Sequence, residues 1–210
     1  MSLLNSRFKR KKWGRDPRKA YVIFCEWHSE AIYFNYLKSK SSKLIETFIL
    51  QNKAYEWIPD EINAIKIMNW FNENDCFFCV IDKDEHSIEE YNNYIKGIEN
   101  VSKVVFSSIS FEVWVLMHFS RFDKNVYKVS EYKPLINSKE NKKYFKSKGV
   151  TKTVRKPYSI DIWKALDDKT SNAIVNANYI SKKKINENHN KFNCEPYTDI
   201  WELVDILLKP

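Results

Sequence analysis

Four short apolar runs, separated by stretches of helical periodicity, leave this chain few folds to choose from. Ala20–Cys25 (AYVIFC), Leu44–Leu50 (LIETFIL), Phe77–Ile81 (FFCVI) and Lys103–Ser108 (KVVFSS) are rich in β-branched and aromatic residues and too short for buried helices. Between the first two, Ile32, Tyr33, Tyr36 and Leu37 recur at helical spacing within Ser29–Lys40. Pro59 followed by Asp60 and Glu61 opens a second helical stretch carrying Ile62, Ile65, Met68 and Trp70. Ser87 with Glu89 and Glu90 opens a third, running to about Ile98. Strands alternating with helices predict βαβ units and a parallel sheet. Past the fourth run, Ser110 is placed to cap an apolar helix, Phe111–Phe119. Ile160–Leu166, Ser171–Lys184 and an amphipathic Thr198–Leu208, capped by Thr198, complete the helical readings, while 121–158 is Lys-rich and lacks periodicity. The expected class is α/β: a Rossmann-like, mostly parallel sheet flanked by helices, with a helical C-terminal extension. The expected organisation is a flexible basic arm (1–19), an α/β core (20–125), a basic loop or insertion (126–158) and a helical part packed on the core (159–210).

Glycine is scarce, and that excludes whole functional classes. The chain has only Gly14, Gly97 and Gly149 in 210 residues, against an average usage of roughly 7%. A Walker loop and a dinucleotide fingerprint each need several glycines close together, so nucleotide binding by those routes is excluded. No apolar run approaches the roughly 18 residues of a membrane span, and no secretory apolar region follows Met1. Cys25, Cys76, Cys79 and Cys194 read as free thiols of a cytoplasmic protein; Cys76 and Cys79 form one CxxC with no second pair to complete a zinc site.

The net charge of +8 is unevenly spread. Arg7–Lys19 carries +7 and Lys142–Lys156 another +7, which leaves −6 on the remainder. Such segments suit a phosphate backbone, each Lys or Arg displacing about one counterion. Trp13 and Tyr144 interleave with the charges and are candidates to stack on bases. The expected partner is nucleic acid rather than a membrane.

Acidic residues gather at the ends of the expected strands. Glu26 follows the first strand at once, Asp82 and Asp84 end the third, and Glu112 lies just past the fourth. In a parallel sheet these fall on the carboxyl edge, where open α/β folds bind ligands. Asp82 and Asp84 are two apart, so in extended chain their carboxylates share one face. Carboxylates held close together repel unless a cation intervenes, and oxygen-only ligands favour Mg²⁺ or Mn²⁺. Glu30 is either a partner of Glu26 on one helix face or a first-turn acid answering the helix dipole. His28 and His86 flank the acidic motifs, His118 ends an apolar helix and reads as structural, and His189 lies in a polar loop.

Taken together, these motifs resemble the RloB family, a Toprim-like nuclease branch of prokaryotic restriction and abortive-infection loci. The family's strand running into EGxTE and Tyr-Phe is matched by Tyr21–Glu30 (YVIFCEWHSE) followed by Tyr33 and Phe34. Its DxD after a hydrophobic strand is matched by Asp82-Lys83-Asp84, and its SNPxFExWLLxHF by Ser107–Phe119 (SSISFEVWVLMHF). Its Tyr-x-Lys corresponds to Val154-Arg155-Lys156, and its NPxTxVxxLV tail to Glu195–Val204 (EPYTDIWELV). The chain departs from the family at Trp27 (Gly in the family), Ser29 (Thr), Ser108 and Ile109 (Asn-Pro) and Val154 (Tyr). The resemblance implies that Glu26 acts as acid/base or metal ligand, Asp82 and Asp84 as the metal-binding pair, Glu112 as a further site acid and Lys156 as a phosphate contact. It implies a cytoplasmic, Mg²⁺- or Mn²⁺-dependent nuclease acting on RNA or DNA in an anti-phage system, alongside a separately encoded partner ATPase. The alternative is a catalytically degenerate Toprim-fold module that binds nucleic acid or that ATPase. Homo-oligomerisation is left open.

Overall fold

The computed structural model describes residues 19–50, 55–84, 88–151, 154, 158–188 and 190–210. Its centre is a four-stranded, wholly parallel sheet of order β2-β1-β3-β4, built from β1 (Ala20–Cys25), β2 (Leu44–Ile49), β3 (Cys76–Asp82) and β4 (Lys103–Ser107). Helices α1 (His28–Lys38), α2 (Ile58–Met68) and α3 (Ile88–Glu99) connect consecutive strands. The chain is therefore a Rossmann-like α/β protein, as the strand–helix alternation predicts.

Both faces of the sheet are buried, as a parallel sheet requires, and side-chain alternation along each strand sorts the core into two halves. Ile23, Cys25, Phe78, Val80 and Val105 point to one side, against Tyr33, Phe34 and Leu37 of α1. Val22, Phe24, Cys79, Ile81, Val104 and Phe106 point to the other, against Ile58, Ile62 and Ile65 of α2 and Tyr91, Ile95 and Ile98 of α3. Each fully buried aliphatic or aromatic side chain contributes about 1.5–3 kcal/mol. The start of β1 is tied down by Asp75, whose Oδ1 accepts the Ala20 amide (2.9 Å) while Oδ2 accepts that of Asn72 (3.0 Å).

The C-terminal half packs on the α1 side of the sheet. It comprises α4 (Glu112–Met117), α5 (Tyr132–Ile136), α6 (Lys139–Ser147), α7 (Ile160–Leu166), α8 (Thr170–Asn188) and α9 (Ile200–Leu208). Three local expectations are corrected here. The aperiodic Lys-rich stretch is not loop throughout: it contains α5 and α6, short helices that bury only Tyr132, Ile136 and Phe145, too few positions to register as a period. Ser110 does not cap α4; Phe111 occupies that position without a side-chain bond, and Ser110 is turned into the interior. Thr198 likewise does not occupy the cap of α9, which is Asp199 without a side-chain cap bond; one residue earlier, its Oγ1 accepts the Ile200 amide (3.2 Å). Among the described residues no helix is long and apolar enough to cross a membrane, and all four cysteines are free thiols.

His118, at the end of α4, is 1% exposed, and its Nδ1 donates to the Trp114 carbonyl (2.9 Å). Burial lowers its pKa to about 4, the Trp114 carbonyl only partly opposing this. The role is structural, and it has a pH signature. Between about pH 6.5 and 4 the unfolded chain protonates this residue while the folded chain does not, so stability present above pH 6.5 is lost as pH falls, by on the order of 3 kcal/mol. Denaturant titrations at pH 7 and 4.5 should show a smaller acid loss for His118→Asn than for wild type. Equal losses would contradict the buried, neutral imidazole.

Candidate active site

The strand order sets the position of the site. From the sheet edge at β2 the chain crosses over β1 to reach β3, so β1 and β3 are neighbours whose following helices leave to opposite faces. The space beyond their carboxyl ends is the topological switch point, where doubly wound sheets bind ligands. Glu26 leaves β1 there, and Asp82 is the last residue of β3.

The two acids meet through the backbone. The Glu26 amide donates to the Val80 carbonyl (3.3 Å), and Glu26 Oε2 accepts the Asp82 amide (3.2 Å). The Glu26 carboxylate thus accepts an amide where the next rung of a parallel ladder would use a backbone carbonyl. Asp82 is 1% exposed and shares the side of Phe78 and Val80. Asp84 departs from the extended-chain expectation. It lies beyond the strand with φ +50°, its amide donating to the Ile109 carbonyl (2.9 Å), so the alternation that would align it with Asp82 is broken. Ile109, at φ +62°, is also left-handed, an uncommon state for a β-branched residue.

Glu112 opens α4 and is buried at the same edge. Its Oε1 accepts the Tyr158 hydroxyl (2.8 Å), and the Tyr158 amide donates to Ser29 Oγ (3.4 Å). Burial pushes the Tyr158 hydroxyl well above the ordinary tyrosine range, and the Glu112 and Asp82 carboxylates push it further. Tyr132 on α5 is raised in the same way, by burial and then by Glu112, Asp82 and Glu195. Both tyrosines therefore remain protonated donors facing one acidic group. Lys83 points the other way from Asp82 and pairs with Glu195 (3.0 Å). The tail carrying Glu195 lies along the end of β4: Ser108 N donates to Tyr197 O (2.8 Å), Tyr197 N to Ser108 Oγ (2.7 Å) and Asp199 N to Phe106 O (2.7 Å). Tyr132, Tyr158, Lys83 and Glu195 were not among the sequence candidates. Only Lys83 carried a local signal, as the middle residue of DKD.

Other candidates fall differently. Glu30 is a first-turn acid of α1, its Oε2 accepting the Trp27 amide (3.2 Å). His28 begins α1. Trp27 has φ −127° and ψ 161° and is 42% exposed, an ordinary extended backbone that needs no glycine. Tyr144 is half-buried, its hydroxyl 2.6 Å from both Ala165 O and Asp168 Oδ1 and able to donate to either. Lys156, His86, His189 and Trp13 lie outside the described residues. The positions flanking Lys156 are anchored, Val154 by paired bonds with the Asn137 side chain (3.0 and 2.9 Å) and Tyr158 by Glu112.

Among the described residues no three His, Cys, Asp or Glu side chains form a ready-made metal cage. The donors at the switch point are carboxylates, the hard ligands that suit Mg²⁺ or Mn²⁺, and Mg²⁺ commonly uses one or two of them with water completing its shell. Glu26 and Asp82 fit such an ion in kind.

Fold and site together define a Rossmann-like protein with an acidic, tyrosine-backed site at the carboxyl edge of its sheet. A family model described as RloB-like protein matches residues 21–207, from β1 into α9, and the chain belongs to the RloB-like family. No curated protein and no solved structure matches the chain.

The Tyr158–Glu112 bond is testable by itself. Tyr158→Phe removes the donor to a buried carboxylate and should lower unfolding free energy by about 1–3 kcal/mol. In a double-mutant cycle with Glu112→Gln the two losses should be non-additive by at least about 0.5 kcal/mol. Additive losses would show that the hydroxyl does not support the carboxylate.

Proposed function

We propose that this protein is a divalent-metal-dependent nuclease of the Toprim type, cleaving phosphodiester bonds in RNA or DNA. The observation that carries the reading is the meeting of Glu26 and Asp82 at the switch point, with Glu112 and two protonated tyrosines behind them. Glu26 and Asp82 would hold the ion; Asp84, turned away at φ +50°, is not aligned with them. When bound, the ion would offset negative charge on the phosphate and lower the pKa of water. Glu26 accepts the Asp82 amide, and if it is not itself a ligand it would take or return a proton as the acid/base. Tyr158 fixes the orientation of Glu112. Lys156, by the family resemblance, would contact the phosphate. The resemblance also supplies the setting, an anti-phage system with a separately encoded ATPase.

The basic surface supports a polyanionic substrate. In α6, Lys139, Lys142, Lys143 and Lys146 recur at three- and four-residue spacing and are exposed, while Phe145 is buried and anchors the helix. Lys148 is held by Asp168 (2.7 Å) and is less available.

Cleavage of RNA and DNA should be assayed with Mg²⁺ and Mn²⁺ for wild type, Glu26→Gln and Asp82→Asn. Each substitution should lower the rate by roughly 100-fold or more. Equal rates in all three proteins would overturn the site. Salt-sensitive binding without cleavage by wild type would favour the non-catalytic module.

Binding should also report on α6. With Lys142, Lys143 and Lys146 replaced by Gln, the slope of log affinity against log salt should become shallower by about 2, each lost phosphate contact counting for about 0.7–0.9. An unchanged slope would remove α6 from the interface.

A further inference from the structure

The sheet face opposite the C-terminal helices carries an exposed apolar stripe on α2. Trp57, Ile67, Met68 and Trp70 are 59, 76, 66 and 60% exposed. Trp57, Ile67 and Met68 lie along the side of the helix away from the buried Ile58, Ile62 and Ile65. Clustered apolar exposure of this kind marks an interaction surface.

Trp70 adds an independent observation. It follows the C-cap Asn69 with φ +57°, its amide donating to Ile67 O (3.2 Å), while the Phe71 amide donates to Lys66 O (3.1 Å). Those two bonds form a Schellman motif whose left-handed position normally holds glycine. Here the position holds a large aromatic side chain that is mostly exposed.

Charge narrows the occupant. Glu56 lies just ahead of α2, Asp60 and Glu61 lie in its first turn, and Glu73 follows Trp70 in the next loop. Lys66 is drawn away, its Nζ bonded to the Val101 carbonyl and lying over the Phe77 ring. Acids exclude a phosphate backbone. Pairing the stripe with its own copy across a two-fold axis would set acid against acid. The complementary partner is a segment with apolar side chains among Lys and Arg. Residues 3–18 of this chain have that composition: Leu3, Leu4, Phe8 and Trp13 among seven Lys/Arg and one Asp. Residues 1–18 lie outside the described residues and join the fold at Lys19. The Ala20 amide is bound by Asp75, in the turn just after Trp70. Eighteen residues can span roughly 60 Å, and the 11-residue α2 is about 16 Å long, so the tether permits high local concentration.

We propose that the acidic, apolar face of α2 is the intramolecular docking site for this chain's own basic segment Leu3–Arg18. The proposal does not depend on whether the protein cleaves nucleic acid. The full-length chain carrying Met68→p-benzoylphenylalanine is irradiated, and its adducts are mapped by peptide mass spectrometry. Intramolecular adducts to residues 3–18 are expected, and they should be largely lost in about 1 M salt, where charge attraction reaches only about 3 Å. Adding Trp70→Gly should cut adduct yield by roughly fivefold, as for loss of a contact aromatic. Absence of adducts to residues 3–18, adducts mainly between chains, or a yield unmoved by salt and by Trp70→Gly would overturn it.

Discussion

A parallel strand pair cannot be closed by a tight turn and cannot leave a face to water. The pairing of β1 with β3 is where this constraint acts most strongly. β1 is hydrogen-bonded on both sides, and Val22, Ile23, Phe24 and Cys25 are wholly buried. The crossovers must therefore be helices, one set on each face. Because β2 lies on the far side of β1, the chain has to reverse its winding between β1 and β3. That reversal sets the switch point, and the same geometry brings Glu26 against Asp82.

How far each part was legible in the sequence depended on the range of the interaction behind it. The strands and α1–α3 follow from burial pattern and local helix signals, and the observed boundaries lie within a residue or two of the readings. Glu26, Asp82 and Glu112 were legible because their place at strand ends is a property of the alternation. What was not legible depends on distant partners: Tyr158 meets Glu112 across 46 residues, and Lys83 meets Glu195 across 112. No local pattern marks Tyr158 within a Lys-rich stretch, and α5 and α6 bury too few residues to display a period. The expected cap at Ser110 failed for a related reason. Its neighbours Ser107 and Ser108 are drawn to Thr198 and Tyr197 in the returning tail, and that pairing shapes the turn.

Charge segregation follows from the same two-sided layout. The lysines of α6 lie with the C-terminal helices on the α1 side, while the acids around α2 lie on the other. A polyanion and a basic segment would therefore be drawn to different sides of one small sheet. The net charge of +8 is a poor description of either side.

The shortage of glycine has a structural counterpart in three non-glycine residues that, among the described residues, lie in the left-handed region: Trp70, Asp84 and Ile109. Such residues cost about 1–3 kcal/mol each and persist where surrounding contacts hold them. Asp84 and Ile109 hold each other, the amide of one donating to the carbonyl of the other beside the acidic site. This changes how the departures from the RloB motifs should be weighed. Trp27 replaces a glycine but keeps an extended backbone that any residue adopts, so the path of the chain out of β1 does not depend on the lost glycine. Ile109 replaces a proline, whose ring fixes φ near −65°, yet it stands at φ +62°. The loop after β4 therefore follows a path the motif proline could not take. That loop lies one strand removed from Glu26, and through the Asp84–Ile109 bond it bears on the position of Asp84 rather than on that of the Glu26–Asp82 pair.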